Sequence, residues 1–465
     1  MPHSHLPVEV WCCITQYLAR DELLNMMGVN RVFFHQAMDE RYQEISLFKL
    51  DKNTLDLLAH FSSPFITPRL RKLRIHASFI QELLRMDSTS HIAQLEGFLS
   101  HVSNLQECHI VWSDLPLFQE PSTPRILRAV SASSNLRKLS LIASLRNLGE
   151  MLVPDIRLSL EDLELSIPYE PDVDITSLSA IMANHIVPFI HQTSHTLTTF
   201  SFESSHAIDF SPLFKELSTF DFPLLRTLSL SVPAMPPYLG DHHSIRSFLK
   251  ARLDTLTELR LRGLHIESLD TEGPSRCDRP SSSSSFAVWI LACFSEPLPT
   301  HNLQTLVILT NFFPPEAVVP CVQRLASPSL TGLEITGRHL SFGQVEEILS
   351  TQTFLGKLKL GTVTLSPELM DLLAERLPDL GVLDLVIREA VPSKDITPLY
   401  AGKRMKRMKR QDPGQINEFR NQMRKRHYDG WTRLKRVGVW RFASKMRLED
   451  LYVKMLEECV PLLGH

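Results

Sequence analysis

A six-residue phrase, L-x-x-L-x-L with conservative substitutes, recurs along most of the 465-residue chain. Side chains two positions apart share one face of a strand, so the closing apolar pair of each phrase predicts a short strand with one buried face. Twelve occurrences of the phrase, 24 to 54 residues apart, indicate a repeat architecture. The phrases begin at Leu70, Leu105, Leu136, Leu160, Leu197, Leu225, Leu256, Leu303, Leu330, Leu355, Leu380 and Leu434.

Helical periodicity fills the intervals between the phrases. Ser341, with Gln344 three residues later, predicts a capped helix after the phrase at Leu330. Ser366 followed by Pro367 predicts another helix after the phrase at Leu355. The repeating unit is therefore a strand followed by a helix.

This strand–helix unit resembles the leucine-rich repeat. The resemblance implies an α/β fold: a curved, irregular solenoid with parallel strands on the concave side and helices on the convex side. The family's Asn or Cys, three residues after the last strand leucine, is present here only as Asn311, so we expect the turns to satisfy their backbone groups in other ways. The alternative is a doubly wound α/β domain, but the short, numerous strand phrases fit it poorly.

Two insertions interrupt the repeat. Residues 271–285 (TEGPSRCDRPSSSSS) are rich in Pro, Gly and Ser and predict a mobile loop. Residues 403–436 carry 13 Lys and Arg against three acidic residues. We predict a helical unit over residues 1–47 and a solenoid with these two insertions over residues 48–465.

The first 47 residues lack the phrase and predict three short amphipathic helices, which are too small to enclose much of a core. The stretch LPVEVWCCITQYLARDELLNMMGVNRVFFHQAMDERY resembles an F-box. The matching positions are Leu6, Pro7, Glu9, Val10, Ile14, Tyr17, Leu18, Asp21, Leu23, Val29, Asn30, Arg31, Phe33 and Phe34, while the family's late Trp is replaced, with Tyr42 the nearest aromatic substitute.

The F-box resemblance implies a function. The helices would dock on the Skp adaptor of a cullin-RING ubiquitin ligase, and the solenoid would hold a substrate protein. The alternative is that these helices only cap the first solenoid turn. The residues that we expect to bind the adaptor are Leu6, Pro7, Val10, Ile14, Leu18, Leu23, Val29 and Phe33.

The polar positions of the strand phrases should face the concave surface, because they alternate with the core positions. Arg74, Glu164, Arg260 and Lys359 represent this mixed-charge surface, and we interpret them as candidate substrate-binding residues. A solvated sheet face is the competing interpretation.

The basic insertion allows three interpretations. Lys403, Arg404, Lys406, Arg407, Lys409 and Arg410 resemble part of a nuclear import signal. The same segment, with Tyr428, Trp431 and Trp440 nearby, could bind nucleic acid, which would make the chain a nuclear binding scaffold without a ligase role. The third interpretation is a solvated charged helix.

Other sequence features indicate a binding protein and not an enzyme. We find no phosphate-binding glycine loop and no nucleophile or metallopeptidase motif, and we predict no cofactor and no metal site; we expect His242 and His243 to point to different sides. The seven cysteines match neither a disulfide framework nor a zinc module, and we interpret them as reduced thiols that behave mainly as small buried hydrophobes. The longest apolar run has nine residues, and Met1 to His5 is polar, so we expect no membrane span, no signal peptide and a cytoplasmic or nuclear location.

Overall fold

The structure, a computed structural model, describes residues 6–112, 122–153, 156–169, 175–233, 240–264, 288–295, 301–390, 413–441, 456 and 458, apart from residues 53, 55, 57–59, 61–62, 64, 86–88, 157, 207, 290, 312, 314, 328, 427, 429–430 and 432. The predicted loop at 271–285 and the six basic residues between 403 and 410 lie outside the described residues.

The chain divides into two compact units, of which the first comprises Met1–His206 and Thr219–Leu225. Its strands are β1 (Glu44–Leu47), β2 (Lys72–His76), β3 (Glu107–Trp112), β4 (Lys138–Ala143), β5 (Asp162–Ile167) and β6 (Thr199–Ser204). Its helices are α1 (Val8–Thr15), α2 (Arg20–Asn25), α3 (Arg31–Tyr42), α4 (Ala77–Arg85), α5 (Thr89–His101), α6 (Ser122–Ser131), α7 (Leu145–Met151), α8 (Ile175–Ile181) and α9 (Val187–Thr193), with a 3₁₀ turn at Thr67–Arg69 and a π-helical turn at Met182–Ile186.

The second unit comprises Ala207–Ser218 and Arg226–His465. Its strands are β7 (Thr227–Pro233), β8 (Glu258–Leu264), β9 (Thr305–Leu309), β10 (Gly332–Leu340), β11 (Lys357–Leu365), β12 (Val382–Ala390) and β13 (Arg436–Arg441). Its helices are α10 (Ser211–Leu217), α11 (His242–Lys250), α12 (Pro315–Leu325), α13 (Phe342–Leu349), α14 (Pro367–Arg376) and α15 (Pro413–Arg424). Within each unit the strands pair in parallel with their neighbours in chain order.

All twelve phrases form strands, and each strand begins two residues after the first leucine of its phrase. The three apolar positions of every phrase are buried, except Leu261, which is half-buried. Equivalent positions also pair in register, as Leu73 does with Cys108 and Leu358 with Leu383. Each buried leucine contributes about 1.5–3 kcal/mol, so the repeated phrase builds one continuous core within each unit.

The helix caps that the sequence predicts are also present. Ser341 Oγ accepts from the backbone N–H of Gln344, whose side chain accepts from the N–H of Ser341 in return. Ser366 Oγ accepts from Leu369 N–H at 3.3 Å at the start of α14. These caps are short-range hydrogen bonds, which explains why local sequence predicts them.

A thirteenth strand, β1, precedes the first phrase. Tyr42 occupies the position of the first leucine, so this phrase escapes a search for L-x-x-L-x-L. Ile45 and Leu47 are nevertheless buried, and β1 pairs with β2 from Glu44 to Leu47. The helix α3 therefore leads into the first strand through Gln43 alone. The boundary at residue 47 stays a prediction.

Polar side chains that precede the strands satisfy backbone groups between successive turns. Asn104 Nδ2 donates to the carbonyl of Pro68, and Asn135 Nδ2 donates to that of Ser103. Asn302 Nδ2 donates in the same way to Asp254, and Ser329 Oγ to His301. In a regular leucine-rich repeat, a buried Asn or Cys after the strand forms hydrogen bonds to the backbone between turns. Here the side chains that precede the strands form such bonds.

Candidate protein-binding site

The first three helices form a small core of their own. Leu23, Phe33 and Ala37 are buried, and Trp11, Leu18, Leu24 and Met27 pack around them. The rings of Trp11 and Phe33 meet edge to face at 5.6 Å. Asn30 Oδ1 begins α3 by accepting from the N–H groups of Val32 and Phe33 at 2.8 and 3.0 Å.

Much of the apolar surface of these helices remains exposed. Val10 and Ile14 lie four residues apart on one face of α1 and are 39% and 37% exposed. Val29, between α2 and α3, is 60% exposed. Other exposed apolar residues of this segment are Leu6, Val8, Tyr17, Met26 and Phe34. A concentration of exposed apolar side chains over so few residues marks an interaction surface.

The structure divides the predicted adaptor-binding residues into two groups. Leu6, Pro7, Val10, Ile14 and Val29 are exposed, so a partner could contact them. Leu18 is half-buried, whereas Leu23 and Phe33 are 7% and 3% exposed within the helical core. Leu23 and Phe33 therefore pack within the helical core, which three short helices build from their few large side chains. A role for the eight residues in adaptor binding stays a prediction.

The N-terminal helices connect closely to the first turns of the repeat array. The carbonyl of Gln43, at the end of α3, accepts from the N–H groups of both Arg71 and Lys72 at 2.9 Å. Arg20 of α2 lies 3.8 Å from Glu40 of α3 beside a polar cavity of about 670 Å³. The lining of this cavity also includes Arg71, Asn104 and Gln106.

Cross-strand ion pairs neutralise much of the predicted charged surface. In register across β1 to β5, the side chains alternate in sign as Glu44, Lys72, Glu107, Lys138 and Asp162. Lys72 lies 2.8 Å from Glu107, and Lys138 lies 2.6 Å from Asp162. The hydrogen bond to Asp162 raises the pKa of Lys138. Each such exposed pair contributes at most about 1 kcal/mol, so the ladder sets surface potential more than stability.

Three of the four candidate substrate-binding residues are ion-paired. Arg74 lies 3.0 Å from Glu44, and Arg260 lies 2.6 Å from Glu258 on its own strand. Lys359 Nζ lies 2.6 Å from Glu334 on the neighbouring strand. Glu164 is half-buried and pairs in register with Ser140 and Ser201. A role for these four residues in substrate binding stays a prediction.

The described part of the basic segment belongs to the fold. Arg424 lies 2.7 Å from Glu458, and Arg420 also pairs with Glu458. These two hydrogen bonds lower the pKa of Glu458 to about 2. Arg426 Nε lies 2.8 Å from Asp371 Oδ2, on the helix α14 that packs against α15. These arginines hold α15 in place and offer less charge to phosphates than the sequence alone indicates.

Two aromatic residues that we considered for base stacking are buried. Trp431 is 1% exposed and donates from Nε1 to the carbonyl of Leu377 at 3.0 Å. Tyr428 is 5% exposed and donates to Asp371 at 2.9 Å. The base-stacking interpretation is corrected for both, because an aromatic face that packs in a core cannot reach a base.

Two minor predictions are also corrected. The rings of His242 and His243 stack with centroids 4.1 Å apart instead of pointing to different sides, and both lie next to Asp241. They begin the helix α11, whose positive dipole end opposes a bound cation. Cys13 is exposed, not buried, whereas Cys108, Cys293 and Cys321 are buried as expected.

No helix among the described residues has the length and apolar character to cross a membrane. No known family model matches the chain, and a search of curated proteins finds no match.

Several solved structures are similar to the chain at low identity. A leucine-rich-repeat protein, LegL7 from Legionella pneumophila, is 12% identical over 90% of this chain and 98% of its own, with a TM-score of 0.36. An internalin from Listeria monocytogenes is 14% identical over 90% of this chain and 88% of its own, with a TM-score of 0.32. Yeast Rad7, solved in complex with Elc1, is 12% identical over 82% of this chain and 94% of its own, with a TM-score of 0.38. The repeated phrase and the parallel strands in chain order, both present in the chain itself, are those of an α/β leucine-rich-repeat fold.

Proposed function

We propose that the protein is the substrate-recognition subunit of a Skp-cullin-F-box ubiquitin ligase. In this role the N-terminal helices dock on the Skp adaptor, and the repeat array binds a substrate protein. The observation that carries the proposal is the exposed apolar face of α1, where Val10 and Ile14 are 39% and 37% exposed, on three helices that bury only Leu23, Phe33 and Ala37 in their own core. A partner that covers this face would remove its apolar area from water at about 25 cal/mol per Å².

The leucine-rich-repeat fold supports the second half of this role. A repeat array presents an extended sheet surface, and its side chains vary from turn to turn while the core phrase stays the same. The alternating charges of β1 to β5 make this surface suited to a partner of complementary charge pattern.

The proposed contribution to ubiquitin transfer is proximity and not chemistry. Binding both the adaptor and a substrate raises the effective concentration of substrate lysines near the loaded enzyme. The protein itself supplies no reacting group in this proposal, and it acts without a cofactor.

Co-purification with the Skp adaptor tests the proposal. The full-length protein should elute with purified adaptor in size-exclusion chromatography. The double variant Val10→Asp/Ile14→Asp should weaken this association at least tenfold, because two charges would be buried against an apolar partner. Phe354→Asp is the matched control: Phe354 is 68% exposed on the repeat array, so this variant should bind adaptor like wild type.

Two results would contradict the proposal. One is the absence of any complex between the wild-type protein and the adaptor; the other is unchanged binding by the double variant. Because Val10 and Ile14 are exposed, circular dichroism of the double variant should match wild type. Proximity labelling with wild type and the double variant would then separate ligase components, captured only by wild type, from ligands of the repeat array, captured by both.

A further inference from the structure

The strand β10 carries an insertion that changes its relation to its neighbours. Ile335 pairs with Leu360 of β11, but the next paired residue of β10 is Leu340, which pairs with Thr362. Five steps along β10 therefore match two steps along β11, and the residues 336–339 form a bulge. Bulges redirect side chains and concentrate near functional sites.

Two glycines allow this bulge to lie against the neighbouring strand. Gly337 has a φ of 97°, a conformation that other residues adopt only with strain. Gly361 of β11 faces the carbonyl of Arg338, and any Cβ at this position would collide with that oxygen. The sequence therefore has glycine at both positions where the geometry of the bulge requires it.

Residues of β10 also lie close to β12, the strand beyond β11. Two strands that flank a third strand are ordinarily about 10 Å apart, so the extra residues of β10 must extend over β11. Arg388 of β12 donates from Nε to Nδ1 of His339 at 3.2 Å. Arg388 can only donate, so Nδ1 of His339 must accept and the ring must carry its proton on Nε2.

Two arginines, Arg338 in the bulge and Arg388 beside it, carry the positive charge of this region. Among the described residues, neither Arg338 nor Arg388 forms an ion pair. Other strand arginines do: Arg74, Arg260 and Arg436 each lie within 4.0 Å of a carboxylate, either on a neighbouring strand or on the same strand. Arg338 Nε is buried and lacks a hydrogen-bond partner among the described residues. A buried guanidinium N–H without an acceptor is unfavourable, and a nearby bound anion would offset that cost.

The electrostatics of the bulge agree with this geometry. Burial lowers the pKa of Arg338; Glu316 at the start of α12 acts in the opposite direction, and the charge of Arg388 lowers the pKa to a smaller extent. Burial and Arg388 also lower the pKa of His339 to about 4, so the ring is neutral at pH 7. At neutral pH a neutral His339 thus accepts from Arg388, and Arg338 is the residue next to His339 in the bulge.

We propose that Arg338 and Arg388, with His339 as a positioning residue, bind a phosphate monoester group. A phosphate monoester carries a charge of about −1.5 to −2 at pH 7 and three acceptor oxygens. Two guanidinium groups from different strands can donate to different oxygens of the same phosphate. The group could belong to a phosphorylated side chain of a protein or to a small phosphorylated molecule. This inference does not depend on the ubiquitin-ligase role.

Phosphate binding by the full-length protein tests the inference. Inorganic phosphate and O-phosphoserine are titrated and followed by ³¹P NMR at constant ionic strength. A degenerate phosphoserine peptide mixture and its unphosphorylated counterpart are titrated by calorimetry. Saturable binding of a phosphorylated probe is expected for wild type, with at least a tenfold loss of affinity in Arg338→Gln/Arg388→Gln.

Arg137→Gln serves as the matched control, because Arg137 is an exposed arginine paired with Glu161. It should retain wild-type affinity for phosphate. If the double variant does not fold, Arg388→Gln alone replaces it, because Arg388 is exposed. Tighter binding of the phosphopeptides than of O-phosphoserine would identify a protein source, and equal binding a small-molecule source. Equal phosphate affinity in wild type and variants, or no saturable binding by wild type, would overturn the inference.

Discussion

Nη1 of Arg69 lies 3.1 Å from Oδ1 of Asp39 and joins the 3₁₀ turn before β2 to the helix α3. Nη2 of the same guanidinium lies 2.8 Å from Nδ1 of His35, one helical turn earlier. The Arg69 side chain is 14% exposed, whereas that of Asp39 is 48% exposed. One arginine therefore binds two side chains of α3 and fastens this helix to the first strand turns.

Replacing Arg69 should loosen this connection. We expect Arg69→Met to lower the free energy of unfolding by about 1–3 kcal/mol, because the two hydrogen bonds of a largely buried guanidinium are lost, one of them part of an ion pair. Asp39→Ala should cost about 1 kcal/mol or less, because its carboxylate is half-exposed. Urea denaturation measures both. A double-mutant cycle that shows the two changes to be fully additive would contradict a direct interaction.

Gly361→Ala should destabilise the second unit. The added Cβ would collide with the carbonyl of Arg338, and overpacking of this kind costs about 1–3 kcal/mol. Gly343→Ala is the control, and it should change the free energy of unfolding in the opposite direction. Gly343 lies in α13 with no neighbouring atom where its Cβ would be, so alanine should stabilise the helix by up to about 1 kcal/mol. Equal effects of the two substitutions in urea denaturation would contradict the close approach.

His206 should make folding sensitive to acid. It is 4% exposed, and its two ring nitrogens have no hydrogen-bond partner among the described residues. Burial lowers its pKa below the ordinary value of 6.5. As pH falls below about 6.5, the unfolded chain gains a proton that the folded chain resists, so stability decreases.

His206→Leu should therefore stabilise the protein by about 1–2 kcal/mol at pH 7.5, because it removes a buried polar ring that lacks partners. The gain should be larger at pH 5, where wild type also loses the stability linked to protonation. Urea denaturation at both pH values measures this difference. His109 and His339, whose pKa values are lowered as well, should leave some acid sensitivity in the variant. A smaller stabilisation by His206→Leu at pH 5 than at pH 7.5 would contradict the lowered pKa of His206.

The cysteines should separate into reactive and protected groups. Burial raises the pKa values of Cys108 and Cys321 to about 12 and also raises that of Cys293. Iodoacetamide at pH 8 should modify Cys13 before Cys108, Cys293 and Cys321, because Cys13 is exposed and the reagent needs access to the thiolate. The three buried cysteines should react only after addition of denaturant. Peptide mass spectrometry checks the order, and early modification of Cys108 would contradict the packing of β3.

Sequence predicted the repeat units of this fold closely because their signals are local. The phrase at Leu355 predicts β11, and Ser366 with Pro367 predicts the start of α14, through contacts within a few residues. The strand β1 was missed because Tyr42 replaces the leucine on which the pattern depends. An aromatic substitute in a short phrase cannot be distinguished from other sequence until the strand is seen to pair.

The surfaces depend on contacts between residues that are distant in sequence. Alternation predicted that Arg74 and Lys359 are on the polar face of their strands, but not that Glu44 and Glu334 neutralise them. The periodicity of the first helices likewise predicted apolar faces without separating buried Phe33 from exposed Ile14.

The sequence by itself determined the order and spacing of the strands, because a strand with one buried face needs only an alternating pattern of side chains. The tertiary structure decided which charges pair, which aromatic residues are buried and which side chains lie together at the bulge of β10. These outcomes depend on strand register and on the bulge at residues 336–339, which bring residues such as His339 and Arg388 together from separate turns. A local pattern contains no information about such long-range neighbours.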